Sequence, residues 1–177
     1  MAVLPESLRL RDGDLVLRDW REDDAPFLEP VCGDPDVCRF TTLPWAYTQP
    51  EALAWIRRQH DHRTSATAVV LAVTHAVDDV ALGSVSLGRF SDDGRQAELG
   101  YWLLPGARGR GLATTAAHVL CAWGFEHLGL ARIELAILPE NVASRRVAER
   151  LGAAFEGVRP GRHEEGRAVD MAVYSLC

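Results

Sequence analysis

A chain of 177 residues, 47% hydrophobic and 25% charged, has ordinary globular composition and enough length for one sizeable core. No run approaches the roughly 18 apolar residues of a membrane span, and residues 1–11 carry Glu6, Arg9 and Arg11 where a secretory leader needs an apolar centre; a cytoplasmic protein is expected. The net charge of −6 argues against nucleic acid as the partner, because phosphate binding wants a basic face.

Residues 14–19 alternate as a first strand. Arg21-Glu22-Asp23-Asp24 places acids ahead of Ala25, Phe27, Leu28 and Val31, which reads as a helix start. Gly33-Asp34-Pro35 is a turn, and residues 36–40 make a second short helical piece. Thr48 with Glu51 three residues on is the spacing of a capping box, opening a helix that carries Leu53, Ala54, Ile56 and Arg57 towards His60. Trp45, Tyr47 and Trp55 supply aromatic bulk here, either as core or as walls of a substrate cleft. His60-Asp61-His62 reads as a solvated helix end. Cys32, Cys38, Cys121 and Cys177 lack the spacing of paired zinc ligands, so free thiols and no metal are expected.

A β-rich stretch follows. Residues 66–73 are a β-branched run, Asp78-Asp79 a turn, and residues 80–90 a strand. Ser91-Asp92-Asp93-Gly94 is a tight turn and residues 95–104 the next strand, so an antiparallel meander is expected. Pro105 ends the ladder. Beyond Gly106, Gly109 and Gly111, apolar residues recur at Ala113, Ala116, Ala117, Leu120, Cys121, Gly124, Phe125 and Leu128, the spacing of an amphipathic helix. Gly129 ends that helix, and residues 131–138 form a strand stopped by Pro139. Strand, helix and strand make a parallel βαβ crossover. A last helix runs from Asn141 through Ala148 to Gly152. Residues 154–158 and 168–176 form two strands joined by the polar loop 161–166. No repeat or linker interrupts residues 1–177, and one α/β domain is expected.

The chemistry concentrates at residues 103–113, where the strand hands over to the long helix. A helix start exposes backbone N–H groups and the positive end of a dipole; glycines let an anion approach, and Arg108 and Arg110 add charge. A phosphate or pyrophosphate site fits this pattern. A P-loop would need Gly-Lys-Ser/Thr where Gly111-Leu112-Ala113 stands, and a Rossmann turn would need a small third residue where Thr114 stands.

Arg108-Gly109-Arg110-Gly111-Leu112-Ala113-Thr114 resembles the acyl-CoA pyrophosphate loop of the GNAT N-acetyltransferase superfamily, Gln/Arg-x-x-Gly-x-Gly/Ala. The two glycines fall on Gly109 and Gly111, while the first position falls on Gly106 and departs from Gln/Arg. Asn141-x-x-Ser144-x-x-Val147 followed by Leu151-Gly152 is similar to the family's second motif. Leu15-Val16-Leu17-Arg18, Glu22-Asp23-Asp24, Gly33-Asp34-Pro35 and residues 170–176 resemble the branch of bacterial ribosomal-protein N-terminal acetyltransferases. The resemblance implies a mixed α/β sheet of about seven strands, an antiparallel N-terminal meander, a parallel pair splayed at the CoA site and about four helices.

It also implies acetyl-CoA as cosubstrate and a primary amine as acceptor, either a protein N-terminus or a small molecule such as a polyamine or aminoglycoside. A non-catalytic acyl-CoA-binding module stands as the alternative, and a homodimer is compatible with the family. The backbone of residues 108–113 (Arg108, Gly109, Arg110, Gly111, Leu112 and Ala113) takes the pyrophosphate. Leu103 and Leu104 take the pantetheine arm from one side and Asn141 from the other. A bulged residue near 101–103 polarises the thioester oxygen. Arg145 and Arg146 meet the 3′-phosphate, against a plain solvated helix face. Much of the superfamily uses a tyrosine seven residues after the asparagine; Ala148 stands there, and the branch resemblance gives proton donation to Ser144, with Tyr174 as fallback. Removing a proton from the ammonium needs a base. Glu98, near the start of the strand entering the site, is the first candidate and Glu134 the second.

Overall fold

The computed structural model describes residues 4–41, 48–161 and 169–177. Eight strands form one sheet in the order β1-β2-β3-β4-β5-β6-β8-β7. Strands β1 (Arg9–Asp12) and β2 (Leu15–Asp19) are joined by the two-residue loop Gly13-Asp14, with Gly13 at φ +56° as such a turn requires. β1 raises the count from about seven to eight. It is a polar edge, exposed except at Leu10, so it carries no apolar alternation to read. Next come α1 (Ala25–Cys32), α2 (Pro35–Phe40) and α3 (Gln49–Thr64). Asp34 Oδ1 caps α2 by accepting from Val37 N at 2.9 Å, and the expected Thr48/Glu51 box opens α3. Trp45 and Tyr47 lie outside the described residues, as do residues 162–168, which take in residues 162–166 of the polar loop and the expected first residue, 168, of the last strand.

The antiparallel meander continues through β3 (Ala68–His75), β4 (Ala81–Gly88) and β5 (Gln96–Leu103). Helix α4 (Leu112–Leu128) then crosses to β6 (Arg132–Ile137), which lies parallel to β5. Helix α5 (Val142–Arg150), β7 (Ala154–Pro160) and β8 (Asp170–Leu176) complete the chain, giving five helices where about four are expected. β8 inserts between β6 and β7, antiparallel to both.

The sheet separates two cores. On one face α4 lays Ala116, Ala117 and Leu120 against Val85, Leu87, Ala97 and Ile133. Gly124 is the contact point there: a Cβ would stand 2.8 Å from Leu87. On the other face Leu28 and Val31 of α1 and Ala52 and Ile56 of α3 pack on Ala72, Ala81 and Trp20. Each fully buried Leu, Ile or Val among these contributes about 1.5–3 kcal/mol of transfer free energy. No described helix is long and apolar enough to cross a membrane.

The functional consequence lies in one irregularity. Parallel pairing of β5 with β6 covers only Gln96↔Arg132, Ala97↔Ile133 and Glu98↔Glu134. β5 runs on to Leu103 in unbroken register with β4, while β6 runs on beside β8. Past Glu98 the two strands part.

Candidate active site

Alternation fixes what faces that gap. Arg95 O accepts from Ala131 and Arg132 N on the β6 side, and Leu104 N donates to Leu82 O on the β4 side. With a period of two, the backbone groups of Tyr101 and Leu103 point towards β6, where no strand meets them among the described residues. These are the groups an extended arm would pair with. The register between β4 and β5 shows no shift, so the expected bulge near 101–103 is absent: the gap comes from β6 turning away, not from an extra residue in β5.

A cleft of about 620 Å³ passes through the gap. Its floor on the α3 side carries Ser84, Ser86, Glu98, Gly100 and Trp102, and α3 contributes Trp55, Gln59 and His62. At the gap itself it meets Tyr101, Leu135, Ala136, Ile137 and Ser144. Trp55 therefore serves both readings, wall and core, since it also meets Trp20 edge-on at 5.2 Å.

At the far end of β5 stands the glycine loop. Gly109 and Gly111 have φ of +74° and +78°, a region that side chains resist. Gly111 is the N-cap of α4 and has no side-chain oxygen to offer, so the N–H groups of Leu112, Ala113 and Thr114 precede the first helical bond, Thr115 N to Gly111 O at 3.1 Å. A helix start left uncapped by its own chain is an anion cradle. Arg110 is exposed and has no ion pair among the described residues.

Arg108 does something else. Its guanidinium donates to Asp34 Oδ1 at 2.8 Å and Leu103 O at 3.0 Å, with Asp36 at 3.4 Å. The side chain expected to add charge for an anion instead ties the loop to the N-cap of α2, and it occupies the Leu103 carbonyl expected for the arm. Leu103 keeps its N–H for the gap. Arg108, with hydrogen bonds from Val37 and Asp36 N–H groups, outweighs burial and holds the Asp34 carboxyl below the usual range. Gly106 has ordinary backbone and open space around a Cβ, so nothing in the fold demands glycine there.

The second motif lies across the gap. Asn141 Oδ1 caps α5 by accepting from Ser144 N at 3.0 Å. Its amide NH2 has no partner among the described residues, so cap and ligand roles are compatible. Ser144 Oγ stands 2.7 Å from the Tyr101 hydroxyl, which also lies 3.2 Å from Ser144 O. Burial pushes the Tyr101 phenol up to about 12, so it stays protonated through the neutral range. Tyr101 stands in a run of strand formers in the sequence; its partner is 43 residues away, and no local signal pairs them.

The remaining expectations divide. Glu98 lines the cleft but is ion-paired with Arg89 at 2.9 Å, and Arg89 takes a positive φ of +50°. Glu134 pairs with Arg132 at 3.0 Å. Tyr174 is buried and accepts from Arg145 Nε at 3.1 Å, the core position that competes with a fallback donor role. Arg145 is thus turned inward, and Arg146 alone of the two is exposed without an ion pair among the described residues. Burial pushes the Cys121 thiol up to about 12, which makes it inert. His60 Nε2 lies 3.0 Å from Trp20 O, and no cluster of metal-ligand residues exists among the described residues.

Comparison with known proteins agrees with this geometry. The acetyltransferase (GNAT) domain family matches residues 14–154. YdaF of Bacillus subtilis (strain 168), named as a candidate ribosomal N-acetyltransferase, is 36% identical over 100 residues, 56% of this chain and 55% of that one. The chain thus aligns with little more than half the length of that relative. The uncharacterised N-acetyltransferase p20 of Bacillus licheniformis is 28% identical over 92% of both chains. The structure of a candidate ribosomal-protein-serine acetyltransferase from Vibrio cholerae superposes with a TM-score of 0.84 at 26% identity, covering 99% of each chain. An uncapped helix start behind a glycine loop, a parted parallel pair and a sequence match over most of the chain converge: this protein belongs to the GNAT acetyltransferase family, whose members are acetyl-CoA-dependent N-acetyltransferases.

Proposed function

We propose that residues 1–177 form one N-acetyltransferase domain that moves an acetyl group from acetyl-CoA to a primary amine, with a protein or peptide N-terminus as acceptor. The single observation that carries this is the cleft that crosses the β5–β6 gap, with the glycine loop and α4 start at one end of β5 and a polar floor on the α3 side. Acetyl-CoA supplies an activated acyl group as a thioester. The backbone at Gly109, Arg110, Gly111, Leu112 and Ala113 holds the pyrophosphate, and Arg108 holds that loop in place. The Tyr101 backbone groups and the Leu103 N–H, with the Asn141 amide opposite, align the arm, whereas the backbone of Leu104, expected to join them, is bonded to Leu82 O and Ala107 N. Arg146 meets the 3′-phosphate. Ser144 donates to the sulfur as it becomes anionic.

The choice of an α-amine rests on the base. Glu98 is the one carboxylate among the described cleft residues, and Arg89 holds it in an ion pair. An α-amine near pKa 8 yields its proton far more readily than a lysine-like amine near 10.4. YdaF, named as a candidate ribosomal N-acetyltransferase, and the Vibrio protein, named as a candidate ribosomal-protein-serine acetyltransferase, support a protein acceptor.

Thiol release from acetyl-CoA, measured against N-terminal peptides, polyamines and aminoglycosides, tests the reading. Turnover confined to peptides with free α-amines is expected. Turnover only on polyamines or aminoglycosides would move the acceptor to small molecules. Heat stabilisation by acetyl-CoA with no turnover on any class would favour a binding module.

A further inference from the structure

Tyr101 lies at the strand gap yet belongs to neither recognised motif. Its ring packs on the α4 side among the core that includes Leu103 and Ile137. Its hydroxyl reaches out of β5, across the parted strands, to Ser144 in the first turn of α5. Both residues line the cleft. The contact is therefore a bridge over the place where arm and acceptor would meet.

Counting protons defines what the bridge does. The two hydroxyls have two protons between them, and the chain offers them Ser144 O and each other's oxygen. In one arrangement the phenol donates to Ser144 O at 3.2 Å and Ser144 donates to the phenol at 2.7 Å, which uses both protons. In the other the phenol donates across the 2.7 Å contact to Ser144 Oγ, and the serine proton turns into the cleft. The second arrangement needs an acceptor in the cleft to be worth adopting, and a sulfur gaining negative charge is one. A serine that accepts from one group while donating to another is also a stronger donor, since hydrogen bonds in a chain polarise one another.

We propose that Tyr101 is a positioning residue for acyl transfer: it donates to Ser144 Oγ and so directs the serine proton at the departing sulfur. This rests on the acetyl-transfer reading above. In the step, the acceptor nitrogen forms its bond to the acyl carbon and the C–S bond breaks with its electron pair going to sulfur. The proton lost by nitrogen leaves through Glu98 to solvent. The thiolate is held by the Ser144 O–H, which is held by Tyr101. With Ala148 where much of the superfamily has tyrosine, the phenol reaches the site from β5 instead of from α5.

Two measurements on the full chain test it. The first uses CoA alone and follows thiolate absorbance of the bound thiol against pH, for wild type, Tyr101→Phe, Ser144→Ala and the double variant. A wild-type bound thiol titrating about one unit below the thiol of free CoA measured alongside it, with Tyr101→Phe and Ser144→Ala each returning it upward, is expected. The second is a double-mutant cycle on turnover. Tyr101→Phe should lower kcat about tenfold with KM for acetyl-CoA unchanged, and should cost nothing further in the Ser144→Ala background. Ser144→Thr, which keeps the hydroxyl, should retain the response to Tyr101→Phe. Additive losses, or a KM rise with kcat unchanged, would show that the tyrosine acts as a strut and overturn the inference. If wild type acetylates no amine, the transfer reading fails, but the thiol titration still decides: a bound thiol insensitive to Tyr101→Phe overturns the pairing by itself. Should Tyr101→Phe not fold, Ser144→Ala and Ser144→Thr read the same bound thiol, and no difference between them overturns it.

Discussion

Two polar clusters, one buried and one facing a cleft, tie distant parts of this chain together, and they differ in whether they are finished. Arg18, 3% exposed, spends all five guanidinium N–H donors. They go to both Asp24 oxygens at 2.7 and 2.8 Å, Asp79 Oδ1 at 3.0 Å, and the carbonyls of Asp19 and Asp79, each at 2.9 Å. Asp24 in turn accepts from Arg21 N at 2.8 Å. At the β5–β6 gap the balance is open: strand N–H and C=O groups face a cleft, the first N–H groups of α4 have no cap, and the Ser144 proton has two places to go. A closed cluster fixes one structure. An open one keeps capacity for something the chain does not contain.

The largest expected effect comes from breaking the closed cluster. Arg18→Met strands the Asp24 carboxylate, 4% exposed, in a buried site, which costs roughly 3–5 kcal/mol, while Asp79 keeps Arg21. For a chain of this length that is a fall of about 6–20 °C in Tm. Thermal unfolding measures it, and kcat of the folded fraction in the cold should be unchanged. A Tm within about 2 °C of wild type would mean that donor accounting does not identify structural clusters here.

The glycine loop gives the opposite pattern. Gly111→Ala meets no neighbour within 4 Å, so its only penalty is the φ of +78°, about 1–2 kcal/mol. If the loop relaxes to relieve that strain, the cradle loses its shape. KM for acetyl-CoA should rise about tenfold while Tm drops by only a few degrees. A normal KM with a low Tm would make the loop an ordinary turn.

These contrasts bear on what the sequence could reveal. The glycine loop, the α4 periodicity and the Thr48/Glu51 box are contiguous in the chain, and local physics exposes them. The parting of β5 from β6 is not local: beyond Glu98 β5 keeps to β4 and β6 to β8, and only the family resemblance anticipates it. The roles of Arg108 and Tyr101 depend on partners 74 and 43 residues away. Charge beside glycine reads as a phosphate ligand until Asp34 is seen to claim it. An aromatic in a run of strand formers carries no sign of the Ser144 that meets its hydroxyl. β1 escaped because an exposed edge strand needs no apolar face.

Between closed and open stands the Glu156 network at the C-terminal end. Arg132 on β6 meets Glu156 on β7 at 2.5 and 2.8 Å, reaching across β8, whose Ser175 donates to the same carboxylate at 2.7 Å. Arg159 pairs with it as well. This fastens β6 to the final hairpin on the side away from the gap. The Arg132 guanidinium, with Ser175, draws the Glu156 carboxyl down to about 2. A depressed carboxyl stabilises the fold above its unfolded value, about 4.3, and loses that contribution as pH falls through the folded value. Glu156→Gln should therefore lower Tm by a constant amount above about pH 5, and the difference should close as pH approaches 2. A pH-independent difference would assign the effect to packing instead of charge.

An open site, unlike a closed one, should also be improvable, and Gly106 is where that can be tried. The resemblance expects Gln or Arg at this position, as a side-chain contact to the cofactor. The backbone there is not in the left-handed region, and a Cβ meets nothing within 4 Å, so the fold admits either residue without strain. Replacing glycine at a compatible position also removes freedom from the unfolded chain, worth about 0.4–1 kcal/mol. Gly106→Gln is thus expected to lower KM for acetyl-CoA about two- to fivefold, with kcat unchanged and Tm slightly raised. Gly106→Ala separates the two contributions: it should reproduce the Tm gain without the KM gain. Equal KM in all three proteins would mean that backbone and helix start complete the pyrophosphate site unaided, and that the loop is more nearly closed than its unpaired N–H groups imply.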